Sequence, residues 1–189
     1  MTAQIPNTFI YKDMAYSIAR ESGHGLVLPF DIYGMNPRWV STACYSGYQF
    51  ICGLEGSFLV LTNFSVNLEK GIKSLRRRQG PDIGGISPIG RRYQDDRFNN
   101  HYEGLNVKVS YTGRLILARD FIQELYEHSG IQGPWKFREA VALIFKDGKL
   151  VKKYDCTRNV EIMRERILAK RQTALELRNL GQINNHDYH

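Results

Sequence analysis

The sequence predicts an α+β fold: an antiparallel sheet built from repeated β-hairpin units, short helices after two of them, and a C-terminal amphipathic helix. Three observations lead there. Residues 45–68 and 102–125 align without a gap, placing Tyr45, Gly47, Gly56, Phe64 and Leu68 on Tyr102, Gly104, Gly113, Phe121 and Leu125. Asp147-Gly148 lies between alternating apolar residues, the strongest short-range signal for a hairpin closed by a type I′ turn. Residues 159–180 contain neither Pro nor Gly, and Val160, Met163, Ile167, Ala174 and Leu177 recur at three-four spacing, interrupted by Lys170.

Taken in order, residues 9–11 and 15–20 flank Lys12-Asp13 as a short N-terminal hairpin. Residues 21–37 hold three Gly and two Pro and read as loop. Trp39, Ser41, Ala43 and Tyr45 alternate onto one face ahead of the first repeated unit. Each unit is expected to be a hairpin, with Glu55-Gly56 and Thr112-Gly113 as the turns. Leu68, Ile72 and Leu75 then carry helical spacing after the first unit, and residues 120–128 after the second, where Gly130 suits the cap. Tyr45 and Tyr102 read as equivalent buried anchors.

These pieces give one α+β domain over residues 1–156, with the two similar units at about 38–75 and 96–130 and a third hairpin at 140–154. A helix follows at 157–182, with Asn159 as its N-cap, and a flexible tail at 183–189. Sequential hairpins argue against a parallel doubly wound sheet. On the helix, Arg164, Arg171 and Arg178 form one stripe and the apolar residues the opposite one. The apolar stripe is expected to pack on the sheet, or to form a homodimer seam.

Composition excludes little. The 189 residues are 42% hydrophobic and 24% charged, ordinary for a globular chain. Three Cys lack zinc-finger or redox spacing, and neither a secretory leader nor a membrane-spanning run is evident. A soluble, cytoplasmic protein without cofactor or metal is expected. The net charge of +7 is concentrated: Lys70, Lys73, Arg76, Arg77, Arg78, Arg91 and Arg92 face a single anion, Asp82, between residues 70 and 92.

That asymmetry points to an anionic partner. The leading functional expectation is a non-enzymatic binding or adaptor module, inhibitor- or immunity-like, that engages an acidic protein. Its binding residues would be Lys73, Arg76, Arg77, Arg78, Arg91 and Arg92, whose guanidinium forks suit carboxylate or phosphate. A nucleic-acid-associated protein is the first alternative. The second is an enzyme with its site between the two units. Cys44 aligns with His101, so packing about a two-fold axis would bring them together as a nucleophile and base, with Asp120 to orient the imidazole. His128 is the third weak catalytic candidate, although its place at the end of the expected helix has a simpler reason in the helix dipole.

Overall fold

The computed structural model describes residues 2–24, 28, 31, 33–68 and 79–186, with side chains through residue 178. The strands are β1 (Thr8–Tyr11), β2 (Met14–His24), β3 (Tyr48–Glu55), β4 (Phe58–Val66), β5 (Asn100–Tyr102), β6 (Val107–Lys108), β7 (Thr112–Phe121), β8 (Phe137–Lys146) and β9 (Lys149–Asp155), and one helix, α1 (Thr157–His186), follows them. Seven strands run β3-β1-β2-β7-β8-β9-β4, and β4 returns to β3, closing a barrel. The β1–β3 pair is parallel, with Thr8 beside Ile51 and Phe9 beside Cys52, and the other pairs are antiparallel.

The α+β expectation is therefore corrected. The chain is mostly β, with 44% of it in strands, and one C-terminal helix, α1, follows the barrel. Closure joins the two end strands, β4 and β9, at Phe58 and Lys149, and β5 and β6 pair with the rest of that edge of β4, so helices are not needed to cover it.

Two of the expected two-residue turns, Lys12-Asp13 and Asp147-Gly148, are present. Lys12 and Asp13 have φ of 50° and 60°, and Asp147 and Gly148 have 51° and 78°, the paired positive angles of a type I′ turn. The first repeated unit is also a hairpin, β3–β4, but it turns at Gly56-Ser57 rather than at the expected Glu55-Gly56, because Glu55 still pairs with Phe58. The second is not. β6 pairs with β4, whereas β7 pairs with β2 and β8. Thr112-Gly113 starts a strand rather than a turn, and Gly113 lies opposite Gly23, so close that a Cβ on it would stand 2.3 Å from the Ser22 carbonyl oxygen. The tyrosines differ likewise: Tyr102 is 0% exposed and Tyr45 is 56% exposed. Residues 38–45 form turns with a lone bridge between Ser41 and Cys44, not a strand.

The helix expected over 120–128 is reduced to a single 3₁₀ turn, Gln123–Leu125. Phe121 stays in the ladder opposite Phe137, and the two rings meet edge-on at 5.2 Å. Asp120 has φ of 58°, which an α-helix does not accommodate. The helix expected after the first unit lies, beyond Leu68, outside the described residues.

The barrel interior takes the alternate positions of each strand. Tyr48, Phe64 and Tyr102 form a line of rings at 6.0 and 6.1 Å across β3, β4 and β5. Phe9, Phe50, Leu117 and Phe145 belong to the same buried cluster.

α1 begins at Thr157, whose backbone N–H donates to the Asp155 carboxylate at 2.9 Å, two residues before the expected Asn159 cap. The helix continues through His186, past the expected end at 182. It packs against β8 and the 3₁₀ turn Pro134–Lys136, and Arg164 and Arg171 of its arginine stripe reach toward that side, whereas Arg178 is exposed. The Arg164 guanidinium donates to the carbonyl oxygens of Trp135, at 2.8 Å, and Phe137. Arg171 pairs with Glu127 and lies over the Trp135 ring at 5.1 Å. Lys136, only 2% exposed, reaches the same Glu127 carboxylate at 2.8 Å and Gln132 at 2.7 Å. Of the expected apolar stripe, Val160 is buried and Ile167 half-buried, but Met163, Ala174 and Leu177 are exposed, as are Leu168 and Leu175 outside it. The expected burial of the apolar stripe against the sheet is thus largely reversed. Among the described residues no helix is long and apolar enough to cross a membrane.

Removing a ring from the centre of the aromatic line should cost far more than trimming the outer face of α1. Phe64→Ala is expected to lower stability by about 3–5 kcal/mol and Leu175→Ala by less than about 0.5 kcal/mol, from urea unfolding midpoints. Similar losses for the two would contradict this placement of the core.

Candidate functional site

Strand alternation that sends Phe50, Phe64 and Tyr102 into the barrel sends their neighbours out. Gln49, Ser65 and His101 form one outward row across β3, β4 and β5. Thr8, Ile51 and Asn63 form a second across β1, β3 and β4. Over these rows passes the segment 91–99, leaving a cleft of about 470 Å³ lined also by Ile5, Pro6, Arg92, Tyr93, Asp96, Phe98 and Glu103.

The roof and floor meet at His101. Its Nδ1 stands 3.0 Å from Ser65 Oγ, and its Nε2 stands 2.8 Å from Asp96 Oδ2. His101 is 6% exposed and Asp96 7%. The strap is fastened by the same residues. Ile89 and His101 exchange both backbone hydrogen bonds at 2.8 Å. The backbone N–H groups of Arg92 and Phe98 donate to Asp96 at 3.0 and 3.2 Å. Phe98 stands edge-on to the imidazole at 6.2 Å.

Burial pushes the Asp96 carboxyl upward, but the N–H groups of Arg92 and Phe98, together with His101, outweigh it and hold the group below its ordinary value. Ionised Asp96 only accepts, so His101 Nε2 carries the proton of that hydrogen bond. In the neutral imidazole with that tautomer, Nδ1 presents a lone pair to Ser65 and the hydroxyl donates; in the imidazolium, Nδ1 donates to Ser65 Oγ. Ser65, His101 and Asp96 are thus joined in one continuous hydrogen-bonded chain.

Other polar groups in the cleft are uncommitted. The side chains of Thr8, Gln49 and Asn63 have no hydrogen-bond partner among the described residues, and Gln49 lies directly across from Ser65. The charged rim is satisfied, since Arg92 and Glu103 pair with each other in the open.

Of the residues singled out from sequence, His101 is in this site and Cys44 is not. The buried Cys44 thiol faces Ser46 Oγ and the Tyr48 carbonyl, at 3.8 and 3.5 Å. Both His101 ring nitrogens are taken by Ser65 and Asp96, so the expected Cys44–His101–Asp120 arrangement is replaced by a different one. His128 is exposed and packs edge-on against Tyr126 at 5.0 Å, beyond a 3₁₀ turn rather than at an α-helix end. Cys52 is fully buried, and burial pushes its thiol far up. Lys73, Arg76, Arg77 and Arg78 lie outside the described residues. The residues on either side of that segment are tied down: the Leu68 N–H donates to Asn99 at 3.0 Å and the Gly80 N–H to Asn100 at 2.7 Å. Arg91 is exposed and Arg92 is at the cleft rim. No group of three or more His, Cys, Asp and Glu is gathered for a metal among the described residues.

Sequence reasoning missed Ser65, Asp96, Gln49 and Asn63. The available signal was Asn63-Phe64-Ser65, two polar side chains at alternate positions of a strand that is apolar apart from these and Thr62. No protein-family model, no curated protein and no solved structure matches this chain.

A carboxylate with a depressed folded value stabilises the fold above the ordinary carboxylate range, and that contribution fades as pH falls through the folded value. The stability gap between wild type and Asp96→Asn should therefore be widest near neutrality and narrow below about pH 4, the ordinary Asp value. Urea titrations at stepped pH test this, and a gap that stays constant into acid would refute the ionised role.

Proposed function

We propose that this protein binds a small, polar organic molecule carrying a carbonyl group in the outer cleft between β3, β4, β5 and the strap over them. The carrying observation is the set of unpartnered side chains, Thr8, Gln49 and Asn63, facing the cleft beside Ser65 and His101. Amide N–H groups and hydroxyls left without partners in a concave site are the usual means of fixing a ligand's orientation, and a cleft of about 470 Å³ falls in the size range of such sites. Ile5, Pro6, Ile51 and Phe98 supply apolar contact for the rest of the ligand.

The charges argue for a ligand of low net charge. Arg92 is neutralised by Glu103, and Asp96 is occupied by His101 and two N–H groups. The adaptor reading, with an acidic partner on Lys73, Arg76, Arg77, Arg78, Arg91 and Arg92, rests on the sequence charge asymmetry alone.

Titrating isotope-labelled protein with small amides, lactones and esters is expected to shift the side-chain NH₂ signals of Gln49 and Asn63 first. Gln49→Ala/Asn63→Ala should weaken the best binder by about tenfold or more, the sum of two ordinary hydrogen bonds. Shifts gathered elsewhere, or affinity unchanged in the double variant, would remove the cleft as the binding site.

A further inference from the structure

Ser65, His101 and Asp96 are more than a polar lining, and we infer that they form a catalytic centre that hydrolyses small carboxylic esters through transient acylation of Ser65. This rests on the cleft being the ligand site. Ser65 presents its hydroxyl at the cleft surface, His101 Nδ1 lies 3.0 Å from it, and Asp96 holds the far side of the ring at 2.8 Å. Nucleophile, base and orienting carboxylate within hydrogen-bond reach of one another define this chemistry wherever it occurs, whatever the fold or chain order.

A purely structural origin accounts for less of the arrangement. Asp96 needs only the Arg92 and Phe98 N–H groups to shape the strap, and β5 is already held to β4 by its backbone ladder. Neither requires a buried imidazole in register with a serine that opens onto the cleft. Gln49, opposite Ser65, and Asn63, on the same outward face of β4, line the same cleft and offer free amide donors for an oxyanion formed there.

The steps balance within the site. Ser65 Oγ bonds to the ester carbonyl carbon as its proton passes to His101 Nδ1, giving a tetrahedral oxyanion that faces the Gln49 and Asn63 amides. The carbon–oxygen bond to the alcohol then breaks, and the Nδ1 proton leaves on that alcohol. Water attacks the acyl-serine, His101 takes its proton and returns it to Ser65 Oγ, and a carboxylic acid departs. Ser65 and His101 are the catalytic residues. Asp96 is a positioning residue that keeps the other proton on Nε2 throughout.

The test treats the full chain with a fluorophosphonate probe, locates any adduct by mass spectrometry, and follows hydrolysis of p-nitrophenyl acetate and butyrate. One phosphonyl group on Ser65 is expected, absent in Ser65→Ala, together with a loss of kcat of about 100-fold or more, the usual scale for removing a nucleophile or its base. Asp96→Asn should lower kcat and the labelling rate per folded molecule while leaving KM unchanged, the folded fraction being set by the butyramide signals, because a loss of folded protein alone would leave the rate per folded molecule unaltered. Binding of unreactive butyramide, read at the Gln49 and Asn63 amide signals, is followed alongside and reports that each variant retains a folded cleft. Butyramide binding without adduct or turnover would overturn catalysis and leave the binding site standing. No binding and no turnover would overturn both. Labelling at another residue, or hydrolysis unchanged in Ser65→Ala, would overturn the assignment of Ser65.

Discussion

One edge of β4 has more backbone to satisfy than its barrel neighbour supplies. β9 meets β4 in the ladder only at Phe58 and Lys149, with two further bonds at that end, from Leu59 N–H to Gly148 and from Leu150 N–H to Ser57. Farther along, the N–H and C=O groups of β4 would be left open, which a packed interior does not tolerate. Residues 100–109 fill the gap. Lys108 and Val107 lie against Val60 and Leu61, the Leu105 N–H reaches the Thr62 carbonyl at 2.8 Å, and β5 lies against residues 64–66. Seven strands close the barrel, but these two short ones complete β4.

The site is a by-product of that repair. Register on β4 sets Tyr102 opposite Phe64 inside the barrel and His101 opposite Ser65 outside it. A slip of one residue would exchange their faces, so the same ladder fixes both the core and the relay. An outward histidine on a short strand would normally be wet. Here the antiparallel bridge to Ile89 brings the strap alongside, and Asp96 and Phe98 cover the ring. The tight turn that holds the carboxylate is made from its own neighbours' N–H groups. The polar cluster is therefore organised by short local bonds on one side and by long-range strand register on the other.

That division explains what could be read from the residues alone. Lys12-Asp13 and Asp147-Gly148 were legible because a two-residue turn is decided by its own backbone angles. Gly113 was not, since its role is set by Gly23, ninety positions away in sequence, and the same residue type serves turns and close strand contacts. Phe121 and Leu125 carried helical spacing, yet pairing with Phe137 kept Phe121 extended, a tertiary contact overriding local pattern. His101 drew notice for its alignment with Cys44, a relation the second unit does not keep once β6 and β7 part company. Ser65 and Asp96 could be matched to it only by knowing the β4–β5 register and the path of the strap.

The inward arginines of α1 have a consequence for its thermodynamics. A helix docked by burial sheds a large apolar surface from water and can roll by a few degrees with little loss. Contact through Arg164 to two carbonyl oxygens and Arg171 to Glu127 is directional, so the azimuth of the helix is locked even though Val160 is its one buried apolar side chain among the described residues. Release of such a helix exposes little hydrocarbon, and its heat-capacity increment is correspondingly small. The barrel and its outer helix thus differ in the currency of their stability: the one is held by solvent ordering, and the other by bond angles.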